Sequence, residues 1–241
     1  MADKEIQNLA DLRNEYFQSG GMLQKKFGWK ENDARIGVFA KCLNAIEPAL
    51  FSLIFCKENL SNPMWQARFS KDHKTPPSAE EVQHQVDSYL MYQQYSYAEL
   101  FFASIESSMR IFVRAIDPEA CNQGKANFAS ISDFLLKRTD TEKYKPLLEL
   151  FRLIRNTSHN NGIYLPEREG NRSITWKGTE YLFEEGKSVL FVTMPFLIEL
   201  SKDLREMLVD IVESKNLSNI QEILDPTFPE EWPLRILNTE E

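Results

Sequence analysis

The chain has 241 residues, of which 42% are hydrophobic, and a formal net charge of −8. This length accommodates one large domain, or one domain with appendages, and a sizeable core. The acidic balance excludes a broad, sequence-independent coat for nucleic acid, which requires surplus lysine and arginine, but it leaves room for a small basic site. Nine glycines and eleven prolines are too few for the many turns of an all-β protein of this length.

Apolar residues at helical spacing predict two helices in the first quarter of the chain. The first spans residues 3–18 and ends at glycines 20–21. The second spans residues 32–56, with Asp33 as its cap and Pro48 as a kink or break inside it. The next segment, residues 59–77, has the prolines of a loop.

A long helix follows this loop. Ser78 and Glu81 have the spacing of a capping box, and the helix they begin should end near Ile116. Trp65 and Phe69 are expected to anchor the loop that precedes it.

A later helix carries residues 152–162, the motif, in which arginine, histidine and asparagine side chains are concentrated. The sequence predicts irregular structure for residues 119–130 and a short helix for residues 131–137. The motif helix is expected to begin near Asp140-Thr141, which places Pro146 in its first turn.

The pattern changes to period two after this helix. Residues 173–183 predict a β-hairpin with a two-residue turn at Lys177-Gly178. We expect it either to cover or flank residues 152–162, rather than join the core, or to be a decoration without a role at the site. Residues 189–192 predict a further short strand, and residues 193–215 a last long helix. The tail should carry one helical turn at residues 220–224 and continue as an extended strap.

These elements predict a mainly α fold, a helical bundle with a small β-hairpin insertion near residues 173–192. We expect the N-terminal helices and loop of residues 1–77 to pack on a bundle formed by residues 78–215. Residues 216–241 then form a C-terminal strap.

The cysteines and the N-terminus bear on localisation. Cys42, Cys56 and Cys121 are odd in number and far apart, as in a reduced cytoplasmic protein with buried thiols. The N-terminus lacks a secretory pattern, and the most apolar run, Ala49–Cys56, is too short to span a membrane. We expect a soluble, cytoplasmic protein with no membrane association.

Side chains with chemical use crowd together in residues 152–162. Arg152, Arg155 and His159 are spaced by three and four residues, which places them on one face of a helix, and residues 160–162 predict a helix stop and a turn. Such a stripe suits the binding and cleavage of a phosphodiester. Guanidiniums hold phosphate oxygens, an imidazole transfers protons near neutral pH, and RNA supplies its own 2′-hydroxyl nucleophile.

The same stripe also has a structural interpretation. His159 would cap the C-terminus of its own helix, and both arginines would pair with acids such as Glu106 or Glu149. The other histidines, His73 and His84, are isolated. Since the sequence lacks metal-ligand spacing, a Gly-rich phosphate loop and a serine elbow, we expect no metal and no cofactor.

Three segments together resemble the HEPN superfamily. They are Leu-Ile-Arg-Asn-Thr-Ser-His-Asn-Asn-Gly-Ile-Tyr at residues 153–164, the hairpin with its Lys-Gly turn, and Phe-Ala-Ser-Ile-Glu-Ser-Ser-Met-Arg at residues 102–110. The family signature is an arginine, often followed by a polar residue, then about four to six residues and a histidine. Here Arg155-Asn156 supplies the arginine–polar pair with three residues before His159, whereas Arg152 has six intervening residues but is followed by Leu153. The resemblance covers roughly residues 80–215.

The resemblance implies a metal-independent ribonuclease of the kind found in toxin–antitoxin and phage-defence systems. It assigns catalytic roles to His159, Arg152 and Arg155, and binding roles to Asn156, Asn160 and Asn161. The implied partners are a second copy that brings two helices of residues 147–162 together, RNA, and a cognate antitoxin or defence protein. Because some members of the family have lost catalysis, a non-catalytic scaffold or interaction module of the same fold is the alternative.

Overall fold

Helices make up most of the protein. The computed structural model describes residues 2–59, 62, 64–65, 68, 77–120, 127–166 and 170–226. In chain order the helices are α1 (Ala2–Phe27), α2 (Ala34–Asn59), α3 (Ala79–Ile116), α4 (Phe128–Arg138), α5 (Lys145–Ser158), α6 (Met194–Glu213) and α7 (Lys215–Ser218), and a 3₁₀ turn spans Glu142–Tyr144. The strands β1 (Arg172–Trp176) and β2 (Thr179–Phe183) form an antiparallel hairpin. The predicted mainly α fold with a small hairpin is confirmed.

Helix α1 runs through the glycines that were predicted to end it. Gly20 packs against α2, where an added Cβ would lie 3.5 Å from the Cβ of Phe39. The helix ends instead at Phe27, and the next residue, Gly28, has a left-handed φ of +69° and donates its N–H to the carbonyl of Gln24. The prediction was wrong because close helix packing outweighs the low helix propensity of glycine at this point.

Helix α2 is a single helix that begins and ends slightly later than predicted. The Asp33 carboxylate accepts the N–H of Arg35 at 3.0 Å, which supports its predicted capping role, and Pro48 does not break the helix. Contrary to our expectation, α2 is long and apolar enough to cross a membrane by length and composition, alone among the described helices. Half of that apolar stretch is buried within the protein.

A buried ion pair joins the start of α2 to the C-terminal region. Arg35 is fully buried, and its Nε and Nη2 donate to the Asp33 carboxylate at 2.7 and 2.5 Å. Its Nη1 donates to the carbonyl oxygens of Leu217 and Ile220 at 2.8 and 2.7 Å. The guanidinium lies 4.0 Å from the ring centroid of Trp29. The Arg35 side chain therefore links the segment that follows α6 to the start of α2.

The C-terminal helical turn lies earlier than predicted. It is α7, and residues 220–224 are not helical. Residues 227–241, which hold most of the predicted strap, lie outside the described residues, as do Phe69 and Cys121. Cys42 and Cys56 are buried free thiols.

The capping box at the start of α3 is confirmed. The Ser78 hydroxyl accepts the N–H of Glu81 at 3.2 Å, and the Glu81 carboxylate accepts the N–H of Ser78 at 2.8 Å. The helix ends at Ile116, as predicted. Met64 and Trp65, which were predicted to lie in a loop, are helical. The Trp65 ring lies 6.3 Å from that of Phe55, so Trp65 packs against α2 and supports its predicted anchoring role.

One apolar cluster forms the core and draws on every long helix and on the hairpin. Phe101 of α3, Phe151 of α5 and Leu204 of α6 are buried at its centre. Helices α1 and α2 contribute Leu9 and Phe39 and pack on α6 and α3, respectively.

The hairpin has the predicted register and turn, but it is partly a core element. Lys177 and Gly178 have φ of +49° and +75°, as a tight two-residue hairpin turn requires. Trp176 and Phe183 are buried, and the indole N–H of Trp176 donates to Asp203 of α6 at 2.9 Å. The expectation that the hairpin stays outside the core is therefore wrong, because two aromatic side chains pack it against the body. The expectation that it flanks the motif is supported, since Arg172 at its start lines one cleft with Arg152 and His159. Residues 189–192 do not form the predicted strand.

Candidate functional site

A cleft of about 730 Å³ opens between α4, α5 and the segment that leads into the hairpin. Of the six residues that the sequence assigns to a site, five line it, namely Arg152, Arg155, Asn156, His159 and Asn160. Asn161 does not. The predicted convergence of two arginines and a histidine on one face of α5 is confirmed.

Helix α5 presents these side chains because its opposite side is apolar. Leu147, Leu150, Phe151 and Ile154 are buried in the core, which turns the polar stripe outward. The helix begins at Lys145 rather than near residue 140, because the 3₁₀ turn precedes it, and Pro146 lies in its first turn as predicted.

Helix α4 forms the facing wall of the cleft. It begins at Phe128, three residues earlier than predicted, because the side chain of Asn127 accepts the N–H of Ser130 at 2.9 Å and caps the helix. Asn127, Phe128 and Ala129 line the cleft, so the positive end of this helix dipole faces the arginines.

Arg155 is held by an aromatic ring rather than by a carboxylate. Its guanidinium lies 5.1 Å from the ring centroid of Phe102, and its Nη1 is 3.5 Å from the side-chain oxygen of Asn156. Its Nε is buried and has no hydrogen-bond partner among the described residues. Because no described carboxylate lies within ion-pair distance, the positive charge of Arg155 is available to an anionic ligand.

Arg152 forms an ion pair with an acid, as the structural interpretation of the sequence predicts for both arginines. Its Nε and Nη2 donate to the two carboxylate oxygens of Glu149 at 2.9 and 2.6 Å. Glu106, the other acid considered, pairs with Arg110 instead. Since both members of the Arg152–Glu149 pair are partly exposed, the pair adds little stability, and an anion can compete for the guanidinium.

His159 lies at the rim of the cleft, where α5 ends. Its imidazole is about half exposed, and its Nδ1 is 3.8 Å from Oε1 of Glu99 on α3. Glu99 also accepts a hydrogen bond from the hydroxyl of Ser158. The imidazole is thus open to a ligand on one side, and when protonated it faces a carboxylate on the other.

The turn after His159 brings the hairpin to the cleft. Asn161 and Gly162 have φ of +53° and +80°, so the chain reverses here, as the sequence predicts. Residues 162–164 then bond to residues 186–189, with Ile163 paired to Ser188. This short ladder closes the base of the hairpin and places its first residue beside α5.

Sequence reasoning missed three residues of the site, namely Glu99, Tyr164 and Arg172. Arg172, the first residue of β1, lines the cleft as a third guanidinium. Burial raises the pKa of the Tyr164 hydroxyl, and the nearby guanidiniums of Arg172 and Arg152 partly oppose this rise. Tyr164 ends the 153–164 segment, but its hydroxyl meets Arg172 only in the folded protein. No local spacing links Glu99 or Arg172 to the motif, because tertiary packing alone brings them there.

Among the described residues, no group of three or more His, Cys, Asp or Glu side chains is placed to hold a metal ion. Comparisons with protein families, curated proteins and solved structures found no match to this chain.

Proposed function

We propose that this protein is a metal-independent endoribonuclease of the HEPN type, of the kind found in toxin–antitoxin and phage-defence systems. The observation that carries the proposal is the convergence of Arg152, Arg155 and Arg172 with His159 in one cleft. Arg155 and Arg172, which have no described carboxylate partner, and the N-terminus of α4 together suit an anion despite the net charge of −8, and Arg152 adds to them when an anion displaces Glu149.

The proposed reaction is an attack of the 2′-hydroxyl oxygen on the adjacent phosphorus. The bond to the 5′-oxygen breaks, the 5′-oxygen takes a proton, and the 2′-hydroxyl proton passes to water. The products are a 2′,3′-cyclic phosphate and a 5′-hydroxyl, so the protein need not supply a nucleophile.

Each side chain has a role in this reaction. Protonated His159, facing Glu99, donates the proton to the leaving oxygen. Arg155, whose charge no described carboxylate neutralises, holds the phosphate and offsets the charge that develops on it. Arg152 contributes when the phosphate displaces Glu149.

The test compares two histidine variants on mixed-sequence RNA in the presence of EDTA. His159→Ala should keep a near-normal melting temperature, because losing a half-exposed side chain at a helix end costs about 1 kcal/mol or less. Its cleavage rate should fall about a hundredfold or more, as expected for loss of a general acid. His84→Ala is the matched control, since His84 is exposed on the first turns of α3, and it should cleave like the wild type.

A non-catalytic interaction module is the second candidate, and the bidentate Arg152–Glu149 pair favours it. In that case the stripe serves the helix end or a dimer contact. Wild-type protein would then leave RNA intact with and without metal, and His159→Ala would weaken dimerisation or stability instead.

A further inference from the structure

Arg172 is the cleft arginine that lies outside the motif helix. It is the first residue of β1 and pairs in register with Phe183, which is fully buried. At the other end of the hairpin, Asp203 of α6 binds both the Trp176 indole and the Lys177 ammonium, at 2.9 and 2.7 Å. The backbone of Arg172 is therefore held firmly, although its side chain is exposed to the cleft.

The charge of Arg172 is not neutralised by the described part of the chain. No described carboxylate lies within ion-pair distance of it, unlike Arg152, whose partner is Glu149. Its neighbour Tyr164 is neutral at physiological pH, because the ordinary pKa of a tyrosine hydroxyl is near 10 and burial raises the pKa of Tyr164 further. A buried neutral phenol beside a guanidinium orients it without cancelling its charge.

The cleft has room for more than one phosphate. Its volume of about 730 Å³ is in the upper part of the range of ligand pockets. Arg155 projects from α5, whereas Arg172 projects from the hairpin, so the two guanidiniums belong to different walls.

We infer that Arg172 binds a second phosphate of a single-stranded RNA, next to the phosphate held by Arg155. This inference rests on the proposed function, and it makes the hairpin a wall of the substrate site. Duplex RNA is recognised across its shallow minor groove by surfaces that span many base pairs. A walled cleft on an acidic protein admits a single strand instead.

The test measures binding of a fluorescent, 2′-O-methylated RNA oligonucleotide, which cannot be cleaved, as a function of salt. Arg172→Gln should bind about tenfold more weakly at low salt, as expected for loss of one charge-assisted hydrogen bond. Log affinity falls as log salt rises, and Arg172→Gln should make this fall shallower by about 0.7, the contribution of one phosphate contact on a single strand. Arg172→Lys should retain the slope. Arg114→Gln, which removes an exposed arginine at the far end of α3, should behave like the wild type.

Three results would overturn the inference in distinguishable ways. Wild-type affinity and slope in Arg172→Gln would exclude Arg172 as a phosphate ligand and leave the proposed function intact. If the wild-type protein bound a duplex of the same 2′-O-methylated sequence as tightly as the single strand, single-stranded RNA would be overturned as the preferred ligand. Failure of the wild-type protein to bind the oligonucleotide at all would overturn the proposed function together with this inference.

Discussion

Replacement of Arg35 by methionine should be among the most destabilising single changes in this protein. The substitution leaves the buried carboxylate of Asp33 without its guanidinium, and it removes the donors to the carbonyls of Leu217 and Ile220. Breaking a buried ion pair from one side costs about 3–5 kcal/mol, because the remaining charge stays buried and uncompensated. The Asp33 carboxylate keeps only backbone N–H donors, at residue 35 and Ile223.

The assay is equilibrium unfolding in urea, followed by circular dichroism. A loss of about 3–5 kcal/mol is a large part of the 5–15 kcal/mol that typically stabilises a folded protein. Arg114→Met removes an exposed arginine and should change stability by less than about 0.5 kcal/mol. Adding Asp33→Asn to Arg35→Met neutralises the unpaired carboxylate, so the double variant should be more stable than Arg35→Met alone.

Two results would refute this reasoning. One is a loss below about 1 kcal/mol for Arg35→Met, which would mean that the pair is not buried or that water replaces it. The other is a double variant no more stable than Arg35→Met, which would show that the remaining charge is not the cause of the loss.

Gly162→Ala should lower stability by about 1–3 kcal/mol, because φ is +80° there and the new Cβ would lie 2.4 Å from the Tyr95 hydroxyl oxygen. Tyr95→Phe removes that oxygen, so Gly162→Ala should cost less stability in the Tyr95→Phe protein than in the wild type. Equal losses of stability on thermal unfolding would contradict the clash. Burial, with a hydrogen bond to Asp210, raises the pKa of Tyr144 from its usual value near 10 to about 12. Because the folded state holds the Tyr144 proton more tightly than the unfolded state, the neutral hydroxyl stabilises the fold below pH 10, and this contribution is lost as the pH rises towards 12. Tyr144→Phe should therefore show a smaller fall in melting temperature over that interval than the wild type. Parallel curves for the two proteins would contradict the raised pKa. Finally, light scattering at micromolar concentration should give about twice 28.1 kDa if two copies meet through residues 147–162, and a strict monomer would exclude that arrangement.

The features that could be predicted from the sequence are those set by near neighbours in the chain. The capping box at Ser78, the turn at Lys177-Gly178 and the shared face of Arg152, Arg155 and His159 all follow from local spacing. Each is stabilised by contacts within a few residues or by helix periodicity, so tertiary structure does not need to be known.

The features that could not be predicted depend on contacts between distant segments. Helix α1 passes through Gly20 because α2 packs closely there, and the hairpin joins the core because Trp176 reaches α6. Arg172 joins the cleft only because the turn at Gly162 folds the hairpin back beside α5. Likewise, Glu99 lies near His159 through the packing of α3, which periodicity cannot specify.

The central claim is that this cleft cleaves RNA through the 2′-hydroxyl of the substrate. The most direct measurement incubates the wild-type protein, in EDTA, with two oligonucleotides of one sequence, the second with every 2′-hydroxyl methylated. We expect cleavage of the first, with 2′,3′-cyclic phosphate and 5′-hydroxyl ends, while the second is bound but stays intact. Cleavage of the methylated strand, or no cleavage of either strand, would contradict this account.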